Sequence, residues 1–324
     1  MAVTTYIEAI REAMQEEMRR DPAVFLLGED VGTYGGAFRA SAGFLEEFGP
    51  DRIVDTPISE SGILGLAVGA AMNGLRPIAE MQFIDFLSNG FNQVVNMAAK
   101  ARYRWNAGVP LVVRGPCGGG VHGGPYHSQN VESHYLSTPG LKIVEPATAY
   151  DAKGLMKAAI RDADPVLYFE HKFLYRRIKE DLPEGDWIVP LGEAKVCREG
   201  DDLSVVTFGA CVHWALEAAD ALDREGVSME VVDLRTLLPL DRAALHATTK
   251  KTNKVLVYHE AQRTGGIGAE IAAILAEECF EWLDGPVLRV TAPDTPVPYS
   301  PPLEAAFLPG TDALLAAARR LAAY

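Results

Sequence analysis

Glu60 is the carboxylate best placed to do chemistry in this sequence. It follows Thr56-Pro57-Ile58-Ser59 and opens a run without other charges, Ser61-Gly62-Ile63-Leu64-Gly65-Leu66-Ala67-Val68-Gly69. An acid in the first turn of a helix is favoured there by the helix dipole alone. The uncharged, glycine-containing helix behind it also suits close packing and burial. A buried carboxylate needs a partner, and burial raises its pKa toward proton-sharing chemistry.

Histidines are the other candidates for acid–base work. His127, within Pro125-Tyr126-His127-Ser128-Gln129, sits on a loop, where an imidazole serves as an acid or base or is merely solvated. His122, His127 and His134 are close in sequence, but their spacing puts no two on one helical face. No cysteine or HExxH pattern joins them, so structural zinc is not expected. The stretch Gly118-Gly119-Gly120-Val121-His122-Gly123-Gly124 lacks the GxxxxGK[ST] pattern and a lysine that would reach a phosphate. Gly265-Gly266-Ile267-Gly268 misses GxGxxG and reads as the amino-terminal turn of a helix. Neither segment argues for a nicotinamide enzyme.

These residues need a scaffold, and the pattern around them is α/β. Thr5 and Glu8 make a capping box, after which Ile7, Ile10, Met14 and Met18 recur at helical spacing. Strand-like runs follow at 24–27, 52–55, 77–81, 111–114, 141–144 and 166–170, alternating with helical stretches such as 61–73. The charged, Pro- and Gly-containing stretch 176–186 reads as an interdomain linker. Beyond it the pattern restarts, with strands expected at 203–208, 229–234, 254–259 and 287–291. Helices are expected at about 212–224, 241–249 and 268–282. Continuous apolar runs such as Val255-Leu256-Val257 suit strands covered by helices on both faces. The fold class expected is α/β, with two domains that each hold a mainly parallel sheet flanked by helices.

Composition narrows the function. The 324 residues are 48% hydrophobic and 23% charged, as in an ordinary globular chain, and suffice for two domains. A formal charge of −14 argues against general nucleic-acid binding and against docking on anionic lipid; an acidic surface also simply favours solubility. Cys117, Cys197, Cys211 and Cys279 form no CxxC pair, so neither a disulfide framework nor a zinc ribbon is expected. No signal peptide is visible at the amino terminus, and the most apolar run, 63–72, is too short to span a bilayer. A cytoplasmic protein is expected.

Five segments together resemble one family: Val54-Asp55-Thr56-Pro57-Ile58-Ser59-Glu60, Gly74-Leu75-Arg76-Pro77-Ile78-Ala79-Glu80, Tyr126-His127-Ser128-Gln129, Asp151-Ala152-Lys153-Gly154-Leu155 and Val232-Asp233-Leu234-Arg235-Thr236. The family is the beta subunits of pyruvate and branched-chain 2-oxo acid dehydrogenases, within the transketolase-like thiamine enzymes. The resemblance runs over essentially the whole chain. It implies a pyrimidine-binding domain at 1–180, a linker at 181–190 and a transketolase carboxy-terminal domain at 191–324. It also implies an α2β2 heterotetramer, with thiamine diphosphate bound between an alpha and a beta subunit and Mg2+ held mainly by the alpha subunit. By motif match, Glu60 would hydrogen-bond a nitrogen of the aminopyrimidine, favouring the imino tautomer that removes the thiazolium proton. Gln82 and Phe86 would line the same pocket. His127 would serve acyl transfer to lipoamide on the acyltransferase component, where the opening dithiolane needs a proton. Similarity further suggests a monovalent-cation site, K+ for example, at Leu111, Ala159, Ile160, Asp162 and Asp164. The same two aspartates could instead cap a turn before Pro165. A self-sufficient transketolase-type enzyme would need a GDG stretch followed by paired asparagines, which the sequence lacks. A non-catalytic interaction subunit is the other alternative, and the matching contexts of Glu60 and His127 weigh against it. The 2-oxo acid stays open. Phe169–Arg176 and Glu80–Phe83 lean toward branched-chain members, while His171 stands where those relatives have proline.

Overall fold

The computed structural model describes residues 3–324, and the chain divides into two compact units. The first ends at Cys117 and resumes over His134–Leu191; the second comprises Gly118–Ser133 and Gly192–Tyr324. Against the expected limits, the glycine-rich excursion is therefore grouped with the second unit, and residues 181–190 with the first.

The first unit contains β1 (Val3–Thr5), α1 (Tyr6–Arg20), β2 (Val24–Gly28), α2 (Phe44–Phe48), β3 (Ile53–Asp55), α3 (Glu60–Met72) and β4 (Arg76–Glu80). It continues with α4 (Ala101–Trp105), β5 (Val112–Cys117), β6 (Lys142–Val144), α5 (Ala149–Arg161), β7 (Val166–His171) and β8 (Lys179–Asp181). Within the unit its parallel strands lie in the order β6-β7-β5-β4-β2-β3. Strands β2, β5 and β7 are buried along their whole length, as expected of strands with both faces covered.

Helix α1 begins at the predicted capping box, with Thr5 and Glu8 satisfying each other's backbone N–H groups. It buries Ile7, Ile10, Met14 and Met18 and lies beside α5. Ion pairs join the two helices: Glu16 to Lys153 (2.7 Å) and Lys157 (2.8 Å), and Glu17 to Arg161 (2.6 Å). Stretch 176–186 is not a free linker. Strand β8 pairs antiparallel with β1, Leu182 packs with Ala9 and Ala149, and Asp186 accepts from Arg161 at 2.8 and 3.0 Å. Trp187 stacks on Tyr150 with ring centroids 5.4 Å apart. Within the stretch that read as an interdomain linker, Asp186 finds counter-ions on α5 in Lys157 and Arg161.

The second unit contains β9 (Lys195–Arg198), β10 (Leu203–Thr207), α6 (Cys211–Asp223), β11 (Met229–Asp233), β12 (Thr236–Leu238), α7 (Arg242–Thr252) and β13 (Val255–Gln262). After these come α8 (Ile267–Glu278), β14 (Leu288–Ala292), α9 (Pro301–Phe307) and α10 (Thr311–Ala322). Its five-stranded sheet has the order β14-β13-β10-β11-β9, parallel except for the β9 edge. Val205, Val231, Leu256, Ala215, Leu222 and Leu314 are among the core residues between sheet and helices. No described helix is long and apolar enough to cross a membrane.

Candidate active site

In the first unit the chain runs from β2 outward to β3 and then returns to place β4 on the other side of β2. The β2/β4 boundary is thus a topological switch point, where open parallel sheets form a crevice beyond their carboxyl ends. Three segments end there: Gly28-Glu29-Asp30 after β2, Asp55-Thr56 after β3, and Met81-Gln82 after β4. Asp55 Oδ1 accepts the N–H of Gly32 at 2.6 Å, which ties the loop after β2 to the end of β3. A Cβ on Gly32 would lie 2.4 Å from Asp55 Oδ2, so glycine is what lets the two approach.

Glu60 is the first residue of α3, just beyond this edge. The expectation of full burial does not hold in the single chain: Glu60 is half-buried. Its helix has one buried face, Ile63, Leu64, Ala67, Val68 and Ala71, and one exposed face, Ser61, Gly62, Gly65, Leu66 and Met72. Apolar character all round the helix, with only one side covered, is what sequence alone could not resolve. Ser61 Oγ donates to Asn89 O at 2.8 Å. Gly90 lets the neighbouring 3-10 segment Ile84–Gly90 come close, since a Cβ there would lie 2.1 Å from Leu64 Cδ1.

Glu29, which the sequence reading did not single out, is 7% exposed and beside Glu60. Burial, then the charges of Glu60 and Asp30, push its carboxyl pKa upward. The signal was present: an acid immediately after a fully apolar strand, at the carboxyl edge of a parallel sheet. Thr56 Oγ1, in the same region, is buried without a hydrogen-bond partner. Across the switch point Gln82 Nε2 donates to Asp30 Oδ2 at 3.3 Å. Phe86 stands edge-on to Phe83 (6.2 Å), which in turn meets Phe38 edge-on (5.6 Å). Glu60, Glu29, Gln82 and Phe86 thus all belong to the first unit, on segments at or following these strand ends. The adjacent Glu80 points elsewhere, into a buried cluster with Arg114 and Glu170. There Arg114 Nη2 donates to Glu170 Oε2 at 2.6 Å, and Arg114 Nη1 also bonds Glu80. Burial raises Glu80 to about 6 despite Arg114.

His127 belongs to the second unit, half-buried at the end of a 3-10 turn, Gly124–Tyr126. The glycine-rich loop before it is a nest of N–H groups filled by the protein's own acids. Gly119 N donates to Glu260 Oε1 (2.6 Å), and Gly120 N and His122 N donate to Glu304 (3.1 and 3.2 Å). His122 adopts φ +61°, and its Nδ1 lies 2.6 Å from Glu304 Oε2. This occupancy gives a physical reason why the segment is no phosphate loop. Glu132, 1% exposed, lies near Glu260; burial first, then that charge, push its carboxyl up to about 7. Ser128 Oγ, Asn130 Oδ1 and Glu132 Oε1 are buried without partners. The sequence reading missed Glu132, Glu260 and Glu304; only Glu260, a charge within the buried run of β13, carried a signal.

The cation candidates come together in the first unit, but with protein donors already on them. Arg76 Nη1 donates to Ile160 O (2.9 Å) and Asp162 O (3.0 Å), while Leu111 O accepts from Val166 N (2.9 Å). Lys142 pairs with Asp162 (2.5 Å) and Arg102 with Asp164 (2.6 Å). Asp162 N donates to Ala159 O, and Asp162 Oδ1 caps Asp164 N at 2.9 Å, the turn-capping arrangement. Among the described residues no group of three or more His, Cys, Asp or Glu is placed to hold a metal ion.

Comparison with known proteins gives this geometry a family. Residues 3–177 match the transketolase pyrimidine-binding domain and residues 192–314 the transketolase C-terminal domain. The chain is 54% identical to the 2-oxoisovalerate dehydrogenase subunit beta of Bacillus subtilis, over 100% of both chains. It is 46% identical to the pyruvate dehydrogenase E1 component subunit beta of the same organism, over 99% of both. Among solved structures, a split-gene transketolase described as an inactive beta4 tetramer superposes with a TM-score of 0.81 at 22% identity, covering 99% of each chain. Transketolase from Leishmania mexicana gives 0.72 at 16% identity, over all of this chain and 46% of that one. These two likenesses speak to the fold. The chain belongs to the beta subunits of 2-oxo acid dehydrogenases, built from a transketolase pyrimidine-binding domain and a transketolase C-terminal domain.

Proposed function

We propose that this chain is the beta subunit of the decarboxylating component of a 2-oxo acid dehydrogenase, active only with an alpha subunit. With that partner it acts in thiamine-diphosphate-dependent oxidative decarboxylation of a 2-oxo acid and in reductive acylation of lipoamide. The observation that carries this reading is the Glu60–Glu29 pair at the switch point of a pyrimidine-binding domain. When bound, thiamine diphosphate supplies the thiazolium that accepts the electrons released by decarboxylation. This chain contributes the aminopyrimidine end. Glu60 holds a proton against a ring nitrogen, and Glu29 stands beside it, its own carboxyl pKa raised by burial and then by the charges of Glu60 and Asp30. Gln82 and Phe86 orient and enclose the ring, and Thr56 Oγ1 has hydrogen-bonding capacity to spare.

Nothing among the described residues resembles a magnesium cage, so the diphosphate and its Mg2+ are assigned to the alpha subunit in an α2β2 heterotetramer. Gly65, Leu66 and the rest of the exposed face of α3 are the surface we assign to that partner. His127 is assigned proton delivery to the dithiolane sulfur of a lipoyl group on the acyltransferase component. A monovalent cation near Leu111, Ala159, Ile160, Asp162 and Asp164 is part of the same reading; carbonyls already accepting one hydrogen bond keep a second lone pair for it. The branched-chain relative is the more identical of the two Bacillus subtilis proteins, and we assign a branched-chain 2-oxo acid as the preferred substrate, acted on in the cytoplasm.

The test is exchange of the thiazolium C–H for deuterium in the assembled enzyme. Glu60→Gln keeps the shape but loses the shared proton, so exchange is expected to slow by about 10²–10⁴-fold. Exchange at the wild-type rate removes Glu60 from the mechanism.

A further inference from the structure

A cavity of about 450 Å³ in the second unit is lined by Arg263, Arg289 and Arg320 over an apolar floor that includes Val287, Leu288 and Ala317. Arg263 follows β13, Arg289 lies on the edge strand β14, and Arg320 is near the end of α10. The first two are locked in place by a reciprocal exchange. Arg263 Nη1 donates to Arg289 O at 3.0 Å, and Arg289 Nη1 donates to Arg263 O at 3.2 Å. Neither bond neutralises a charge. Among the described residues none of the three arginines forms an ion pair with a carboxylate. Asp294, beside Arg263, accepts from Thr264 N and Oγ1 at 2.9 and 2.7 Å and feels the Arg263 charge more weakly, without an ion pair to it. Elsewhere Arg76, Arg102, Arg161, Arg198 and Arg319 all have acidic partners.

In a chain with 44 acidic and 30 basic residues, three guanidiniums around one hollow, none in an ion pair with a carboxylate, suit an external anion. Guanidinium forks match phosphate oxygens in bidentate fashion, and three of them suit a ligand with two or more charges better than a single carboxylate. The volume is that of a small-molecule pocket, and the aliphatic floor can cover a compact organic group. We propose that this cavity binds an organic phosphate of two or more negative charges, at a site separate from the residues assigned to thiamine. Arg289 and Arg263 grip the phosphate oxygens, and Arg320 closes from the helix side.

Inorganic pyrophosphate, titrated calorimetrically into the full chain at low ionic strength, is the probe. Saturable one-to-one binding is expected, weakened roughly tenfold or more by Arg320→Ala and by Arg289→Gln, and by added salt. Among the described residues the Arg320 side chain makes no hydrogen bond or ion pair, so its variant keeps the proposal testable should Arg289→Gln fold poorly. Arg224→Ala, which removes the same charge from another surface, is expected to leave the affinity unchanged. Absence of saturable heat overturns the proposal, and so does equal affinity in Arg320→Ala and wild type. Binding of an oligoglutamate peptide with none of pyrophosphate would make the patch a protein-docking surface and also overturn it. None of these outcomes bears on Glu60, because deuterium exchange is measured separately.

Discussion

At the scale of single residues, the two proposed proton carriers differ in how their surroundings prepare them. Glu60 has a second acid, Glu29, beside it, whereas His127 sits on a loop whose N–H groups are held by Glu260 and Glu304. His127→Ala therefore has a selective expectation. Transfer to a lipoyl acceptor is expected to fall by about 10²–10⁴-fold, with decarboxylation measured through an artificial electron acceptor much less affected. An equal fall in both would give His127 an earlier or a structural role. Glu132 makes a pH-dependent prediction. Its folded pKa, about 7 against an ordinary 4.5, means that the folded chain holds this proton more tightly than the unfolded one. Stability from this group is present at low pH and is lost as pH rises from 4.5 through 7. His259, lowered by burial to about 4, has the opposite sign: stability is lost as pH falls from 6.5 toward 4. The two partly cancel in the wild type, so the informative quantity is the difference between Glu132→Gln and wild type. The variant's melting temperature is expected to gain on wild type as pH rises from 4.5 to 7 and to hold that lead above. A difference independent of pH would contradict the protonation assigned to Glu132.

At the scale of elements, the repeated strand–helix pattern was legible because buried parallel strands read as continuous apolar runs and α1 carried a complete capping box. The ends of the pattern were less so. The β1–β8 pair is only three residues on each strand, and edge strand β9 is partly exposed, so neither leaves a hydrophobic signature. Stretch 176–186 misled because β8 pairs with β1 and Asp186 pairs with Lys157 and Arg161 of α5, long-range contacts that composition does not report. Helix α3 was legible as a helix but not in its orientation, since Leu66 and Val68 look alike in sequence and only one is buried. Its exposed face yields a prediction. Gly65 has only Gln93 Cγ, at 3.9 Å, near a Cβ, so Gly65→Arg is expected to leave the fold of the chain intact. Placed in the surface assigned to the alpha subunit, the same arginine is expected to abolish heterotetramer formation on a sizing column. A normal heterotetramer would move the interface off α3.

At the scale of the whole molecule, the chain is strongly acidic, apart from local basic features such as the Arg263–Arg289–Arg320 hollow. Within the first unit it gathers groups suited to an aminopyrimidine, yet no acidic or histidine cluster suited to magnesium appears among the described residues. The shared cofactor and the alpha partner were both implied by the family resemblance of five sequence segments, and this division of groups fits them. The burial of Glu60 was misjudged for the same reason: half of the environment expected around α3 belongs to another polypeptide in this account. The most direct test of that division is a single assay of 2-oxoisovalerate decarboxylation, run on the purified chain with thiamine diphosphate and Mg2+, with and without an alpha subunit. Turnover is expected only in the mixture, rising with alpha subunit to a plateau at equimolar chains. Comparable turnover by the chain alone would contradict the account and make this a self-sufficient thiamine enzyme.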